Sequence, residues 1–318
     1  METYFSVGQY HWVSEFAPRN CQKFLSYLVG WLCFTGWQCA ITSITFLAGG
    51  VIQGLIVLNV ESYVYERWHG TLLIIAITAF AILFNTLLAK KLPLVEGLLL
   101  VLHVLGAFAI IITLWVLAPT ASAHEVWTVF TNAGGWNSAG TSTMIGLLSP
   151  IISMIGFDCA VHMSEEVKDA GSTLPKAMLW SVAFNACLGF LMAVTLCFTL
   201  GNVTDILASP TRYPFIAVFY NVTGSYAGAS VLTLIIILTL TSAAIAEVAT
   251  ASRQLWSFAR DKVSLRYRQL LFELYVISDG LHTGHPRLPL HRSHHARRQH
   301  PTQRRPCLPN CHHPPLSH

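Results

Sequence analysis

Long apolar runs are the feature that most constrains how this chain can fold. A helix needs about 20 predominantly apolar residues to cross a bilayer. Only 11% of the 318 residues are charged, against roughly a quarter in soluble domains. The sequence therefore predicts an all-α polytopic membrane protein with about six transmembrane helices. The predicted spans are Phe24–Gly49, Thr71–Ala89, Leu92–Leu117, Thr141–Met163, Ala177–Leu200 and Ala229–Ser252.

The fourth apolar run contains residues that disturb a helix. Pro150 and Gly156 lie inside the run, and Phe157 and Asp158 directly follow the glycine. An interrupted helix leaves backbone N–H and C=O groups without partners, and in a bilayer these are tolerated only inside protein or along a cavity. Transporter sites near the midplane are often built this way. We therefore predict that the helix unwinds at Ile155–Asp158 and forms one wall of a solute site.

Each residue of this break has a candidate role in binding. The unwound backbone at Ile155 and Gly156 would offer peptide dipoles to a polar guest, and freed carbonyls would favour a cationic amine. Phe157 would pack over the substrate or act as a gate, since an ammonium group over a ring gains about 0.5–2 kcal/mol. Asp158 either caps the second half-helix or contacts the solute or an ion, and the sequence leaves both alternatives open.

Ionisable residues in or beside apolar runs supply the candidates for coupling and gating. His103, in the middle of the third span, either relays protons or is a hydrogen-bonded core residue. Glu247 lies among Ser and Thr residues of the last span, whose hydroxyls often bond their own helix backbone. Glu165 and Glu166 follow the fourth span, where they either form a gate with a basic side chain or cover a solvated helix end.

Charge and polarity divide the chain into three regions. Residues 1–23 are too polar to span and are predicted to lie at the membrane surface, with Tyr10 and Trp12 at headgroup level. Residues 24–262 hold the six spans. Their basic residues concentrate on one side, which predicts a cytoplasmic N-terminus by the positive-inside rule. Residues 263–318 are predicted to be disordered. The Cys and His residues of that tail are interpreted as chance rather than a zinc site: Cys307, Cys311, His312 and His313.

Three stretches of the chain resemble one known family. They are GQYHWVSEFAP at Gly8–Pro18, GFDCAVHMSEEVKDAGSTLPKAM at Gly156–Met178 and SRQLWSFARDK at Ser252–Lys262. All three have the order and spacing of the amino acid–polyamine–organocation permeases. The resemblance is closest to the fungal branch that includes GABA and choline permeases, and it covers the chain from Gly8 to Lys262.

The resemblance implies a leucine-transporter-like fold, in which two inverted repeats of five helices are followed by two more. On that pattern the six spans look like the third to eighth helices. We therefore expect the first two and the last four helices to be absent, and the tail after Lys262 departs from the family. In this family the last span here, which carries Glu247, faces the central pathway. Glu165 and Glu166 match the family's paired acidic motif.

The resemblance also implies a function. We expect secondary transport of amino acids or related amines, such as GABA or choline, with proton coupling and in the plasma membrane. The expected partners are the small solute, protons and the lipid bilayer. No cofactor, metal, nucleic acid or enzymatic activity is expected, because the sequence has no nucleotide loop and no nucleophile motif. The alternative is a truncated permease, or the product of an inaccurate gene model, without transport of its own.

Overall fold

The structure is a computed structural model that describes residues 8–130, 132, 134–164 and 167–260. These residues form twelve α-helices and no strand. The first six helices are α1 (Gln9–Phe16), α2 (Gln22–Asn59), α3 (Arg67–Leu87), α4 (Leu92–Leu117), α5 (Ala123–Thr128) and α6 (Ala139–Gly146). The others are α7 (Leu148–Ser153), α8 (Cys159–His162), α9 (Ala170–Thr199), α10 (Val203–Leu207), α11 (Pro214–Thr223) and α12 (Tyr226–Arg260).

Five of these helices, α2, α3, α4, α9 and α12, are long and apolar enough to cross a membrane. They correspond to five of the six predicted spans, and the fourth predicted span is divided among α6, α7 and α8. Large apolar side chains on their outer faces are exposed, as contact with lipid requires; examples are Phe80, Leu98 and Trp180. The predicted all-α polytopic class is confirmed. The predicted tail and its Cys and His residues lie outside the described residues.

The first span is longer than the sequence predicted. It continues ten residues past Gly49 and ends at Asn59, because the glycines near its predicted end are packing positions. A Cβ on Gly50 would lie 1.8 Å from the Tyr213 hydroxyl, and one on Gly54 would lie 2.7 Å from the Thr211 carbonyl. Glycine thus permits a close approach of neighbouring segments here and does not end the helix.

The fifth span begins earlier than predicted. Helix α9 starts at Ala170, seven residues before the expected Ala177, and Pro175 lies inside it. The first four N–H groups of any helix lack an intrahelical acceptor, so a proline at the sixth position costs one backbone hydrogen bond. The sequence prediction placed the start of this span after Pro175, whereas the structure includes this proline in the second turn of the helix.

Helix α12 is the centre of the packing. It contacts α2, α3, α4, α8 and α11. Glycines permit two of these contacts: a Cβ on Gly30 of α2 would lie 2.0 Å from the Phe258 ring, and one on Gly106 of α4 would lie 2.4 Å from Ile235. The cluster where α2, α3, α12 and the start of α4 meet buries Ala48, Ile77, Ala81, Leu92, Ala244, Ile245 and Ala249. Small residues at these positions allow helices to approach closely in lipid.

The segment before the first span is a short helix that packs against the bundle. Tyr10 of α1 is only 4% exposed, and its ring meets Phe258 edge to face at 5.3 Å between centroids. Its carbonyl accepts a hydrogen bond from Ser26 Oγ at 2.8 Å. Tyr10 was expected at the headgroup level; instead it is buried in protein, because α12 offers it an aromatic partner.

Candidate solute site at the interrupted helix

The fourth predicted span unwinds where the sequence predicted it would. Helix α7 ends at Ser153 and α8 begins at Cys159, so the residues between them are in turns. Gly156 has φ +103°, a backbone conformation that residues with a Cβ atom rarely adopt. The remaining backbone bonds across the break are short turn bonds, from Ile155 N to Ile152 O at 3.2 Å and from Cys159 N to Gly156 O at 3.1 Å. The predicted interruption is confirmed.

The break borders a cavity of about 230 Å³. Helices α9 and α12 provide the other walls, so the cavity brings together segments that are far apart in sequence. Three break residues line it, together with two polar residues of α9 and one acidic residue of α12: Ile155, Gly156, Phe157, Ser181, Asn185 and Glu247. The structure therefore places three of the four predicted binding residues beside one predicted coupling residue.

Glu247 is the only carboxylate among the residues that line this cavity. Its Oε2 atom is buried and has no hydrogen-bond partner among the residues that the structure describes. A carboxylate at membrane depth is costly unless it is paired or faces water. Nearby, Asn185 and Ser181 lie one helical turn apart, with Asn185 Nδ2 3.5 Å from Ser181 Oγ. The cavity thus combines an acidic group, which accepts hydrogen bonds, with amide and hydroxyl groups, which both donate and accept them.

Asp158 does not cap the second half-helix. It occupies the N-cap position of α8, but its side chain makes no capping hydrogen bond. Its Oδ2 instead accepts a hydrogen bond from Gln9 Nε2 at 2.5 Å, and Gln9 Oε1 lies 3.8 Å from the Cys33 thiol. The capping alternative was therefore wrong, because a stronger charge-assisted partner comes from α1. Direct solute contact by Asp158 stays a prediction.

Phe157 lies between the polar cavity and a second, apolar one. The second cavity measures about 590 Å³, and its walls include Trp12, Val161, Pro175 and Met178. Phe157 lines both cavities and is 45% exposed. A ring between two cavities has the position that a gate requires, and the gating role predicted for Phe157 stays a prediction.

The other predicted coupling residues do not reach this cavity in the part of the chain that is described. His103 lies on an exposed face of α4, so the interpretation as a hydrogen-bonded core histidine was wrong. Gly106, about one turn later, packs against α12. With the Gly106 face of α4 turned toward α12, His103 lies on the outer face of the helix. A coupling role for His103 stays a prediction. Glu165 and Glu166 lie outside the described residues.

Sequence reasoning missed several side chains of the site. Ser181 and Asn185 carried a usable signal, since polar residues four apart share one face of an apolar helix. Gln9 carried no signal, because its partner Asp158 is 149 residues away. Across the described ranges no group of three or more His, Cys, Asp or Glu side chains could hold a metal ion.

Comparison with known proteins identifies the family. The family profile for amino acid permeases matches residues 4–270. The chain belongs to the amino acid permease family. Among its relatives is a protein of Macrophomina phaseolina named as an amino acid/polyamine transporter. It is 33% identical over 258 residues, which cover 80% of this chain and 56% of the relative. The predicted resemblance to amino acid–polyamine–organocation permeases is confirmed.

Two further relatives carry transporter names. The choline transporter of Saccharomyces cerevisiae is 29% identical over 80% of this chain and 45% of its own length. The swainsonine transporter of Arthroderma benhamiae is 30% identical over 80% of this chain and 50% of its own length. The chain thus spans about half the length of the curated relatives it matches. No solved structure matches it.

These relationships have two consequences for this permease. Its family consists of transporters, not enzymes. Together with the five apolar helices of spanning length, the relationships establish that the protein is an integral, multi-pass membrane protein.

Proposed function

We propose that this permease carries small amino acids or related amines, such as GABA or choline, across the plasma membrane with proton coupling. One observation supports this most: the interrupted helix lines the same cavity as Glu247, whose Oε2 has no hydrogen-bond partner among the described residues. The carbonyl end of an interrupted helix favours a cation, and an acidic side chain attracts an ammonium ion by its charge. Ile155, Gly156, Phe157 and Asp158 are the proposed binding residues of the break.

The size and chemistry of the cavity support a small, cationic solute. Its volume of about 230 Å³ is below the roughly 300–1,000 Å³ of pockets for drug-sized ligands. Glu247 and the last carbonyls before the break favour a positive group. Asn185 and Ser181 offer N–H and O–H donors that suit a carboxylate or a hydroxyl at the other end of the solute. The choline and amino acid/polyamine names of two relatives agree with this class.

We further propose that the N-terminus is cytoplasmic. The support is the distribution of basic residues, which concentrates Lys and Arg on the side of Lys90, Lys91 and Lys168. An epitope tag before Met1 should resist external protease on intact cells and be cleaved after permeabilisation. Cleavage on intact cells would reverse the orientation.

Uptake of labelled choline, GABA and single amino acids by cells that express the chain tests the transport function. Glu247→Gln should raise the KM by about 10- to 100-fold, because hydrogen bonds to charged groups contribute about 1.5–3 kcal/mol. Glu247→Asp keeps the charge and should retain part of the affinity. Glu125→Gln, on the exposed helix α5, is the matched control and should behave as the wild type.

Two outcomes would contradict this proposal. If Glu247→Gln transports with the KM of the wild type, the cavity is not the solute site. If the wild-type chain reaches the cell surface and takes up none of these solutes, the alternative of a permease segment without transport of its own is favoured. The chain's coverage of about half of its relatives' length is the observation behind that alternative.

A further inference from the structure

Three buried side chains next to the break have polar atoms without partners among the described residues. His162 is 7% exposed, Ser164 4% and Gln254 1%. The unpartnered atoms are His162 Nε2, Ser164 Oγ and both amide atoms of Gln254. Buried polar groups in proteins are nearly always hydrogen-bonded, and exceptions call for water, an ion or a functional explanation. Four such atoms therefore call for a guest that the described residues do not supply.

The register of α8 against α12 places His162 and Gln254 at one level. Gly156 and Glu247 line the same cavity, and three residues later the Cys159 thiol lies near the Thr250 hydroxyl. The two segments therefore run in the same direction. One further helical turn on each reaches His162 and Gln254, because side chains three or four apart share a helix face.

The surroundings of His162 fix its ring. Trp37 meets the imidazole perpendicularly at 5.6 Å between centroids. On another side Gly8 is so close that a Cβ there would lie 2.8 Å from His162 Cε1 and 3.2 Å from Nδ1, but 3.9 Å from Nε2. The Nδ1 edge is thus held against the Gly8 backbone, whereas Nε2 is the edge left for a guest.

The elements packed near this ring carry charged and titratable groups. Asp158 lies one helical turn before His162. The other groups are His11 on α1, Cys33 on α2, Cys159 on α8, and Glu247 and Arg253 on α12. A carboxylate one turn away favours an imidazolium ion, whereas burial of the ring opposes the charge. With these two effects opposed, the ring has the setting of a histidine that takes up and releases a proton inside a membrane protein.

We propose that His162, with Gln254 and Ser164, forms a second polar site that binds a hydrated proton, and that His162 carries the coupled proton. The lone pair of Nε2 takes a proton from hydronium and leaves a water molecule, and release returns the proton to water on the other side. Gln254 Oε1 and Ser164 Oγ accept hydrogen bonds from the imidazolium or the water. The coupling role rests on the proposed transport function, but the protonation of His162 does not.

His162 is a better carrier than His103, for which the sequence left a proton-relay role open. His103 is exposed on α4, whereas His162 is buried one turn from the break, so a charge on His162 acts directly on the segment that borders the solute cavity. A proton carrier must respond to the solute site to couple the two fluxes. The position of His162 beside the break supplies that connection.

Tryptophan fluorescence tests protonation without transport. An imidazolium ion quenches an indole in contact with it, so Trp37 emission should fall as His162 gains a proton. Because the chain has nine tryptophans, the Trp37 signal is taken as the difference between wild type and Trp37→Phe in detergent. The pH-dependent quenching should vanish in His162→Gln and persist in His103→Gln and His124→Gln. Unchanged quenching in His162→Gln, or no quenching in the wild type, would overturn the proposal.

Transport then tests coupling. In His162→Gln, stimulation of uptake by external acid should fall by about fivefold or more, the lower end of typical coupling factors. Exchange of labelled for unlabelled solute should continue, since exchange needs no net proton movement. His124→Gln, on the exposed part of α5, should keep the acid stimulation. Loss of stimulation in His103→Gln but not in His162→Gln would overturn the assignment. No uptake by the wild type contradicts the transport function alone, and the fluorescence titration still decides on His162.

Discussion

The two halves of the interrupted segment differ sharply in burial. The first half, α6 and α7, buries none of its residues against the described chain. The second half, α8, is only four residues long but buries Val161 and His162. Both halves come from one apolar run in the sequence. Apolar character therefore shows that a segment enters the bilayer and leaves open whether it faces lipid or protein.

The difference arises from partners on distant segments. Helix α8 packs against α9 and α12, and the start of α1 reaches it through Gly8 at His162 and Gln9 at Asp158. The first half has no comparable contact with the described residues. The second half is therefore held in position by at least three other elements. Substitutions in the second half should lower the stability of the protein far more than substitutions in the first half.

The largest effect is expected at a glycine that contacts the second half. Gly8 has φ 74° and ψ −169°, a region used almost only by glycine, and Gly8→Ala would also push against His162. The expected loss is about 3 kcal/mol, at the upper end for one strained residue. Gly146→Ala, in the first half with open space around it, should be neutral or stabilise by up to about 1 kcal/mol. Thermal unfolding in detergent measures both, and equal shifts would remove the contrast between the halves.

A smaller effect is expected at the contact between α1 and the break. A double-mutant cycle with Gln9→Ala and Asp158→Ala should show a coupling energy of about 2 kcal/mol, because hydrogen bonds to charged groups contribute about 1.5–3 kcal/mol. Asp158→Asn keeps an acceptor and should cost less than Asp158→Ala. Additive effects of the two alanine substitutions would mean that Gln9 does not hold the break.

The smallest effect is expected from trimming apolar side chains on each half. Val161→Ala removes a side chain that is 4% exposed, whereas Ile152→Ala trims one that is 57% exposed. The first should destabilise by about 1–2 kcal/mol through the space it leaves, and the second should change stability by less than about 0.5 kcal/mol. Shifts in melting temperature of the two variants, measured side by side, check the difference. An equal or larger loss for Ile152→Ala would show that the first half is packed after all.

Local sequence features correctly predicted those parts of the structure that depend on residues close together in the chain. The third span was predicted with the bounds that α4 has, because Pro93 and the long apolar run define it without help from neighbours. The break was predicted because Gly156 permits a backbone conformation that other residues resist. The ends of α2 and α9 were missed, since glycines there serve packing and Pro175 lies close enough to a helix start to be tolerated.

The candidate site was predicted only in part, because its geometry depends on how helices that are distant in sequence pack against each other. Glu247 stood out as a charge in an apolar run, and the structure brings it to the cavity beside Gly156. His103 stood out equally, but the rotation of α4 that packs Gly106 on α12 leaves His103 exposed. Helix rotation depends on which small residues face a neighbour, and hydropathy does not record it.

The sequence by itself determined that this protein is a helical membrane protein and where one of its helices breaks. Both follow from short-range causes: the cost of polar groups in lipid and the freedom of glycine. Only the tertiary structure decided that Gln9 meets Asp158, that Glu247 borders the break, and that His162 is buried while His103 is not. Those outcomes depend on how distant helices rotate and approach, which is set by packing among residues far apart in the chain.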